Sequence, residues 1–571
     1  MILSGEEQGA LVDEPLVPNI DLKGKKWDES ISYRFHVLTK HTIESLMSGG
    51  HYLDWANQPN PFRSYADAPR VVMPTDLTCT TAGYFSVLES LVEGMMAHTD
   101  STLPPSMPVS LEFLSNFLFY AMAISAWKEV KGTNNRWALR VNASSGNLHP
   151  TETHILVHSL SGISPGAYHY QVENHTLEKR AEGDHARRLW QLLKQSDSID
   201  VPPVVICLCS IPWREVWKYR RRGFRYCQHD MGHALASCVV SAASLGWHSE
   251  AIALFPDEQV RGILELLGSD ELPGVILGLT PLSDAKQPPE DLLENVTCKS
   301  FSTAANKLSV EEIEYPDVEL IKQATCIGLS QWKEMVQRDQ GFLKQRPETL
   351  VPLAEEIPLH YDRDHAASAN DTSCHRIIRR RRSAVDFDGK QRMSKKDFAT
   401  ILTSSTRGPG SAGVPPASAD LVDLFAYVHR VDDIAAGLYF FDRRKQAAVP
   451  LLFRDQREGI KMMSCFQDIA ADGCFALSMI ADLASAYQLY GDRGYKLAHY
   501  EAGYIGQLLY LAATALGYEA TGIGCFVDDA INQYLALPAG QEVIYNFTFG
   551  RAMQDERLAT RPSYDFPDPT G

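Results

Sequence analysis

The sequence predicts an α+β protein in which two copies of one fold follow each other along the chain. Chain length, repeated motifs and mixed helix and strand patterns are the observations that predict it. At 571 residues the chain is far longer than one ordinary domain, so two or more cores are expected. We divide it into an arm (1–30), a first unit (31–282), a connector (283–374) and a second unit (375–571).

The repeat rests on short motifs that recur at one constant offset, the separation between Gly166 and Gly437. Gly166-Ala-Tyr168 returns as Gly437-Leu-Tyr439, and Arg222-Gly-Phe224 returns as Arg493-Gly-Tyr495. Further pairs at this offset are Gly232 with Gly503, Leu245-Gly246 with Leu516-Gly517, and Phe255 with Phe526. Several matches at one spacing without a gap indicate an internal duplication. Residues related by this offset are called repeat mates below.

Local patterns in the first unit predict both helices and strands. Helical spacing of apolar residues predicts a helix over 111–127, and the apolar run 232–246 predicts a second helix closed by its terminal glycine. Strand patterns occur over residues 151–160, after the turn at 165–170, and over 201–209 and 275–279. Residues 31–65 show no clean period and predict an irregular segment, while the connector is expected to contain one helix over 309–336.

Composition limits the classes of partner and the compartment. A formal net charge of -17 and a pI near 5.5 argue against nucleic acid or an anionic membrane as the main partner. The absence of a signal-peptide pattern and of any run of about 18 apolar residues predicts a soluble, cytoplasmic protein. The eleven cysteines include no CxxC pair, so we expect reduced thiols. No metal site is predicted, and Cys525 is expected to be a buried thiol.

The segment from Arg140 to Pro150 is the first candidate binding element. It combines small hydroxyl residues, a glycine and an amide, a set suited to contact the polar edge of a ring. Its candidate binding residues are Arg140, Ser144, Ser145, Gly146 and Asn147. The alternative is that the segment is an ordinary loop and that its arginine is a surface residue.

Motifs of the second unit resemble the nitroreductase superfamily, whose members bind FMN between two subunits. The motifs are Arg381-Arg-Ser383, Gly437-Leu-Tyr439, Gly503 in an apolar helix, Gly522-Ile-Gly-Cys-Phe526, and Gly550-Arg551 followed by Arg557. The first unit resembles the azoline dehydrogenase branch, which matures ribosomal peptides. Its motifs are Thr39-Lys40, Leu53-Asp-Trp55, Phe62-Arg-Ser-Tyr65, Ala143-Ser-Ser-Gly146 and Lys218-Tyr219.

The resemblance implies two units with mostly antiparallel sheets that form a pseudo-dimer within one chain, with one composite FMN site between them. The second unit would supply Arg381, Arg382 and Ser383 at a helix start, Gly522, Ile523 and Gly524 beside the ring, and Arg551. Guanidinium groups and free N–H groups at a helix start suit a phosphate dianion. The alternative interpretation of the arginines is a solvated basic face, and Val385 stands where family members often carry a further arginine.

The second site, related to this one by the repeat, is expected to be lost. The first unit carries Ala251-Ile-Ala253 where the second carries the two glycines, and the second unit carries Arg407-Gly-Pro-Gly-Ser-Ala-Gly413 where the first carries its two serines. A glycine pair allows the backbone to approach a ring closely, which alanine does not. We therefore expect one FMN per chain.

Lys218 and Tyr219 are the candidate catalytic residues. Oxidation of an azoline needs a base for one proton while a flavin takes the hydride, and tyrosine near lysine is expected to ionise more readily. Arginines surround Lys218, so a solvated basic edge is the alternative, and the second unit has Leu489-Tyr490 at the matching place.

The sequence thus predicts an FMN-dependent oxidoreductase. The preferred function is oxidation of a thiazoline, oxazoline or related ring in a peptide or natural-product intermediate, with oxygen reoxidising the flavin. The substrate is expected to be a small molecule or peptide, and its presentation by a carrier or complex stays open, as does further oligomerisation. The alternatives are an NAD(P)H-dependent nitro or quinone reductase and a flavin-free scaffold of a biosynthetic complex.

Overall fold

The computed structural model describes residues 26–47, 52–93, 105–282, 299–301, 303–338, 352–368, 372–406 and 420–571. Most of the N-terminal arm, and the segment 407–413 that was compared with the serine segment of the first unit, lie outside these residues. In the described part of the chain, no helix is long and apolar enough to cross a membrane.

Both units contain helices and strands, as the sequence predicts. The helices are α1 (Ile31–Leu38), α2 (Ile43–Met47), α3 (Tyr84–Glu93), α4 (Leu111–Ala121), α5 (His185–Lys194), α6 (Trp213–Tyr219), α7 (Gly223–Ser244), α8 (Asp257–Ile263), α9 (Pro316–Ala324), α10 (Leu329–Arg338), α11 (Arg363–Ser368), α12 (Cys374–Arg380), α13 (Lys395–Ser405), α14 (Arg457–Met463), α15 (Ile469–Asp472), α16 (Leu483–Tyr490), α17 (Arg493–Ala515) and α18 (Asp528–Tyr534). The strands are β1 (Tyr65–Ala66), β2 (Arg70–Val72), β3 (Ile124–Val130), β4 (Arg136–Arg140), β5 (Thr151–Val157), β6 (Gly166–Gln171), β7 (Thr176–Glu182), β8 (Val204–Ser210), β9 (Trp247–Ile252), β10 (Leu272–Pro281), β11 (Lys299–Ser300), β12 (Ala304–Ala305), β13 (Ile357–Pro358), β14 (Val422–Val428), β15 (Gly437–Asp442), β16 (Ala447–Leu452), β17 (Phe475–Asp482), β18 (Glu519–Ile523), β19 (Gln541–Gly550) and β20 (Leu558–Arg561).

The two large sheets have the same strand order. The sheet of the first unit has the order β11-β7-β6-β5-β8-β10-β9, and that of the second has the order β13-β16-β15-β14-β17-β19-β18, with the edge strands β11 and β13 contributed by the connector. Neighbouring strands are antiparallel in both. The register repeats as well, since Ile155 pairs with Tyr168 and its repeat mate Ala426 pairs with Tyr439. The duplication predicted from the motifs is confirmed at the level of strand pairing.

Helices α7 and α17 cross at the centre of the molecule, where each carries a glycine. A Cβ atom on Gly232 would lie 2.1 Å from the carbonyl oxygen of Tyr500, and one on Gly503 would lie 2.0 Å from that of His229. His229 and Tyr500 are themselves repeat mates, so the contact is reciprocal, as in a two-fold symmetric dimer. The chain therefore forms a pseudo-dimer whose central helices approach through glycine.

The connector contains a helix that repeats one at the start of the first unit. Helix α1 is followed by Thr39, whose carbonyl accepts a hydrogen bond from Arg222 at 2.7 Å. Helix α9 is followed by Thr325, whose carbonyl accepts one from Arg493 at 3.1 Å. Arg222 and Arg493 are repeat mates, so α9 is the counterpart of α1, and the two helices pack against each other.

Several expected element boundaries are wrong. The helix expected over 111–127 ends at Ala121, because the chain from Ile124 pairs as β3 with β4 and with the C-terminal strand β20. The expected irregular segment 31–65 begins with α1, whose N-cap Ser30 accepts a hydrogen bond from the Tyr33 amide at 3.0 Å. The single helix expected over 309–336 is divided into α9 and α10.

Candidate functional site

The serine loop, residues 144–147, is held by a buried carboxylate that the sequence does not single out. Asp230, on α7, accepts hydrogen bonds from the Ser144 hydroxyl at 2.6 Å and from the Ser145 hydroxyl and amide at 3.0 Å each. Gly146 and Asn147 have positive φ angles of 58° and 60°. The serine hydroxyls thus fix the loop against α7, and the loop takes a tight left-handed turn.

Burial raises the pKa of Asp230 to about 6, although the hydrogen bonds from the serines oppose this. Glu215, on α6, is fully buried, and burial and the Asp230 charge raise its pKa well above the usual range. Asp230 is the one acidic residue of α7, which is the sequence signal that could have identified it. The helix predicted from residue 232 began too late to include it.

Lys218 and Tyr219, at the end of α6, lie over the serine loop. A Cβ atom on Gly146 would be 2.5 Å from the Tyr219 hydroxyl and 3.0 Å from Lys218 Nζ. A Cβ atom there would require these two side-chain ends to shift. Burial, followed by the charge of Glu215, raises the pKa of Tyr219, so the expectation that this tyrosine ionises more readily is wrong. Tyr219 is a hydroxyl donor at neutral pH.

The arginine segment, residues 381–383, meets the strand end that leads into the serine loop. Arg381 donates hydrogen bonds from Nε to the Val141 carbonyl at 3.0 Å and from a terminal nitrogen to the Arg140 carbonyl at 3.3 Å. Ser383 shares a hydrogen bond of 2.9 Å with the Tyr510 hydroxyl. Candidate binding residues of the two units are therefore in direct contact.

The prediction that this segment opens a helix is wrong. It follows the C-terminal end of α12, where Arg381 adopts an extended conformation, and Ser383 bridges to Ala520 on the edge strand β18. Without a helix start, no free helical N–H groups are available, so an anion here would be bound by side chains.

Arg381 is a buried cation, and Arg382 beside it is half-buried. Burial lowers the pKa of both guanidinium groups, that of Arg382 to about 10. Within the described residues neither forms an ion pair with a carboxylate. Such guanidinium groups favour an anion, and phosphate matches their planar hydrogen-bond geometry.

The glycine segment, residues 522–524, lies on and after β18. The Gly522 amide donates to the Tyr510 hydroxyl at 2.8 Å, and the Gly524 carbonyl accepts from the Tyr226 hydroxyl at 2.9 Å. Cβ atoms at these glycines would lie 2.1 Å from the Tyr545 hydroxyl and 2.6 Å from the Tyr226 ring. The Ile523 side chain is in the core, so this residue can contact a ligand only through its backbone.

Three of the predicted binding residues have their side chains directed elsewhere. The Arg140 side chain is buried and donates to the carbonyls of Pro61 and Thr151. The Asn147 amide donates to the Ala138 carbonyl at 2.9 Å. Arg551 is exposed after β19, and in the described chain no hydrogen bond joins its side chain to the arginine segment. These three roles stay predictions.

Beside the glycine segment, a buried ion-pair cluster joins the units. Asp528 accepts hydrogen bonds from Arg222 at 2.9 Å and Arg225 at 2.8 Å, and these arginines hold the pKa of its carboxyl below the usual range against the effect of burial. Arg493 and Asp257, the repeat mates of Arg222 and Asp528, form the reciprocal pair at 3.2 Å.

Cys525 is half-buried and not an isolated thiol, contrary to expectation. Its sulfur lies 3.7 Å from His41 Nδ1 and close to the Cys465 sulfur. The hydrogen bond from Cys465, followed by that from His41, lowers the pKa of Cys525 to about 5. The sequence offers no hint of this cluster, because His41 and Cys525 are 484 residues apart.

The connector occupies the end of the interface that corresponds, through the repeat, to the end with His41 and Cys525. Trp332, on α10, is buried and donates to the Leu254 carbonyl at 3.0 Å. The Ile327 amide donates to Asp257 at 2.7 Å, as the His41 amide donates to Asp528 at 2.9 Å. An apolar residue and an indole thus occupy the end of the interface that lacks the serine loop.

The fold and this interface define a duplicated α+β protein whose candidate site draws on both units. The family model named Nitroreductase matches residues 121–282 and again residues 378–551. The chain belongs to the nitroreductase family, a family of oxidoreductases.

Two relatives and one solved structure illustrate the similarity. A protein of Methanocaldococcus jannaschii, described as a nitroreductase, is 26% identical over 161 residues, which cover 28% of this chain and 77% of the relative. The trifolitoxin-processing protein TfxB of Rhizobium leguminosarum bv. trifolii is 28% identical over 215 residues, covering 36% of this chain and 56% of the relative. A crystal structure from Anabaena variabilis, described as a nitroreductase, matches with a TM-score of 0.67 and 23% identity, covering 92% of this chain and all of that one.

Proposed function

We propose that this chain oxidises an azoline-type ring in a peptide or natural-product intermediate, using FMN bound between its two units. The observation that carries the proposal is the position of Lys218 and Tyr219 over Gly146, beside the contact between the serine loop and the arginine segment. The name of the relative TfxB, a trifolitoxin-processing protein, supports a role in natural-product maturation.

The residues present fit the proposed cofactor. Arg381 and Arg382 are desolvated cations with no carboxylate ion pair in the described chain, so a phosphate group would neutralise them, and the exposed Ser383 adds a hydroxyl. The backbone of residues 522–524 and the serine loop would flank the ring. When bound, FMN supplies the acceptor for a hydride.

Conversion of an azoline to an azole removes a hydride from one carbon and a proton from its neighbour. We assign proton acceptance to Lys218 Nζ, which lies beside Gly146 of the serine loop. Tyr219, kept protonated by its raised pKa, orients the substrate through a hydrogen bond. Asp230 keeps the loop in place. Dioxygen is the oxidant that would regenerate the cofactor for the next turnover.

Cofactor binding is tested by titrating the purified apoprotein with FMN and following flavin fluorescence. Arg382→Ala should weaken binding at least tenfold, because a guanidinium without a carboxylate partner is lost. Arg380→Ala is the matched control, since Arg380 is exposed at the end of α12 and its loss should leave FMN binding as in the wild type. A protein that takes up no FMN would instead support the scaffold function.

Catalysis is tested with an azoline-containing peptide and mass spectrometry, where the product is lighter by two hydrogens. Lys218→Met should retain FMN and lower the rate by about 10²–10⁴-fold, the usual contribution of a general base. Arg221→Gln, at an exposed position of the same basic stretch, should stay active. Rapid anaerobic bleaching of the flavin by NAD(P)H, together with an inactive azoline assay, would favour a nitro or quinone reductase.

A further inference from the structure

Three side chains with metal-binding atoms meet where the first unit contacts the second. His41 follows α1, Cys465 follows α14, and Cys525 follows β18. The His41 nitrogen and the two sulfur atoms all lie within 4.8 Å of one another, and His41 Nδ1 is 3.7 Å from the Cys525 sulfur. All three residues are half-buried, so a small cation can reach them from solvent.

The two cysteine-bearing loops are fixed to each other. Gln467 donates from its amide group to the Ser464 carbonyl at 2.8 Å and to the Cys525 carbonyl at 3.2 Å. The Val527 amide donates to the Met463 carbonyl at 2.8 Å. The sulfur atoms are therefore brought together by the backbone of both loops and need no large movement to share a ligand.

His41 is positioned from the other unit by the buried ion-pair cluster. Its amide donates to Asp528 Oδ2 at 2.9 Å, and Asp528 is in turn bonded to Arg222 and Arg225. Asp528 closely follows Cys525 in the chain, so one anchored segment supports both the imidazole and a thiol. Binding groups supported in this way are oriented before a ligand arrives.

The backbone at Cys465 is strained. Cys465 and Phe466 have φ angles of 56° and 59°, a left-handed conformation that is strained for non-glycine residues. A relaxed conformation would direct the cysteine side chain differently. Strain of this kind persists where surrounding contacts hold a side chain in a required place.

The other end of the interface has no equivalent trio among the residues that the structure describes. The repeat mate of Cys525 is Leu254, and that of Cys465 is Lys194. Ile327 takes the place of His41 in the hydrogen bond to the aspartate. The trio is thus confined to the end that carries the serine loop, and it is not a general product of the fold.

We propose that His41, Cys465 and Cys525 form a zinc-binding site between the two units. Two thiolates and one imidazole are ligands that zinc prefers, and Zn–S and Zn–N bonds of about 2.3 and 2.0–2.1 Å place tetrahedral ligands roughly 3.3–3.8 Å apart. The separations seen here approach that range. Three protein ligands leave the fourth position for water or for a nitrogen or sulfur atom of a substrate.

The test measures metal content and affinity in the full-length protein, without reference to flavin or activity. The protein is purified under reducing conditions, and its zinc is quantified by mass spectrometry. Co²⁺ is then titrated into the metal-free form, because thiolate–cobalt bonds give an absorption band near the ultraviolet. We expect one equivalent per chain and a cobalt spectrum typical of tetrahedral coordination with two sulfurs.

We expect metal binding to weaken by roughly 100-fold or more in each of the variants Cys465→Ser, Cys525→Ser and His41→Ala. The reason is that even a residue that only hydrogen-bonds to a metal ligand contributes ~10–100-fold to metal affinity. Cys326→Ser is the matched control, because this half-buried cysteine lies beside Ile327 at the opposite end. Thermal unfolding checks that each variant is folded. The proposal is overturned if the wild type binds no metal, if the variants bind it equally well, or if the two cysteines are found as a disulfide under the reducing conditions.

Discussion

The glycine contact between α7 and α17 makes a quantitative prediction. In Gly232→Ala, the new Cβ would lie 2.1 Å from the Tyr500 carbonyl oxygen and 2.7 Å from the Tyr504 amide nitrogen, against 3.4–4 Å for ordinary contact. Both obstacles are backbone atoms, so no side-chain rotation relieves them. The helices must separate by more than ~1 Å, and since overpacking typically costs 1–3 kcal/mol, we expect a loss of about 3 kcal/mol.

The assay is urea unfolding of the two variants Gly232→Ala and Gly459→Ala beside the wild type. Gly459 lies in α14, where an added Cβ would have no atom within 4 Å. Its substitution should be neutral or stabilise the protein by up to ~0.5–1 kcal/mol, because alanine has the better helix propensity. The pair therefore separates the crowding effect from the helix-propensity effect of the same substitution.

An unfolding midpoint of Gly232→Ala equal to that of the wild type would refute this reasoning. It would mean that the central helices do not approach through glycine. Gly503→Ala should behave as Gly232→Ala does, because its Cβ would lie 2.0 Å from a carbonyl oxygen of the opposite helix. Different results for the two would contradict the reciprocal, two-fold contact.

Two further predictions concern buried charges. Asp528→Asn should lower the free energy of unfolding by about 3–5 kcal/mol, because two buried arginines lose their counter-ion. Asp257→Asn should lower it less, because only one buried arginine loses its counter-ion. Equal losses for the two variants in urea unfolding would contradict this. The raised pKa of Asp230 means that the folded protein binds an extra proton between about pH 4 and 6, so stability falls as pH rises through that window. Relative to Asp230→Asn, the wild type should lose about 2 kcal/mol of stability from pH 4 to 7, and a pH-independent difference would count against a raised pKa.

The arrangement of the candidate site was only partly predictable. The sequence brought the serine loop and Lys218-Tyr219 into one hypothesis, and the structure places them in contact. It did not indicate Asp230, because a single acidic residue in a helix that also carries other polar residues is not informative until its partners are known. It also placed the arginine segment at the start of a helix, which is wrong. The same residues are compatible with a helix start and with an extended segment beside an edge strand, so the sequence alone does not distinguish the two.

By itself the sequence determined the duplication, several strands and helices of the first unit, and the family. These follow from local periodicity and from motifs at a fixed offset, which are properties of the chain before it folds. Only the tertiary structure decided which segments meet across the pseudo-two-fold axis. It placed the connector at one end of the interface, through Trp332, and His41 beside Cys525 at the other, because contacts between residues far apart in the chain depend on how two folded units pack.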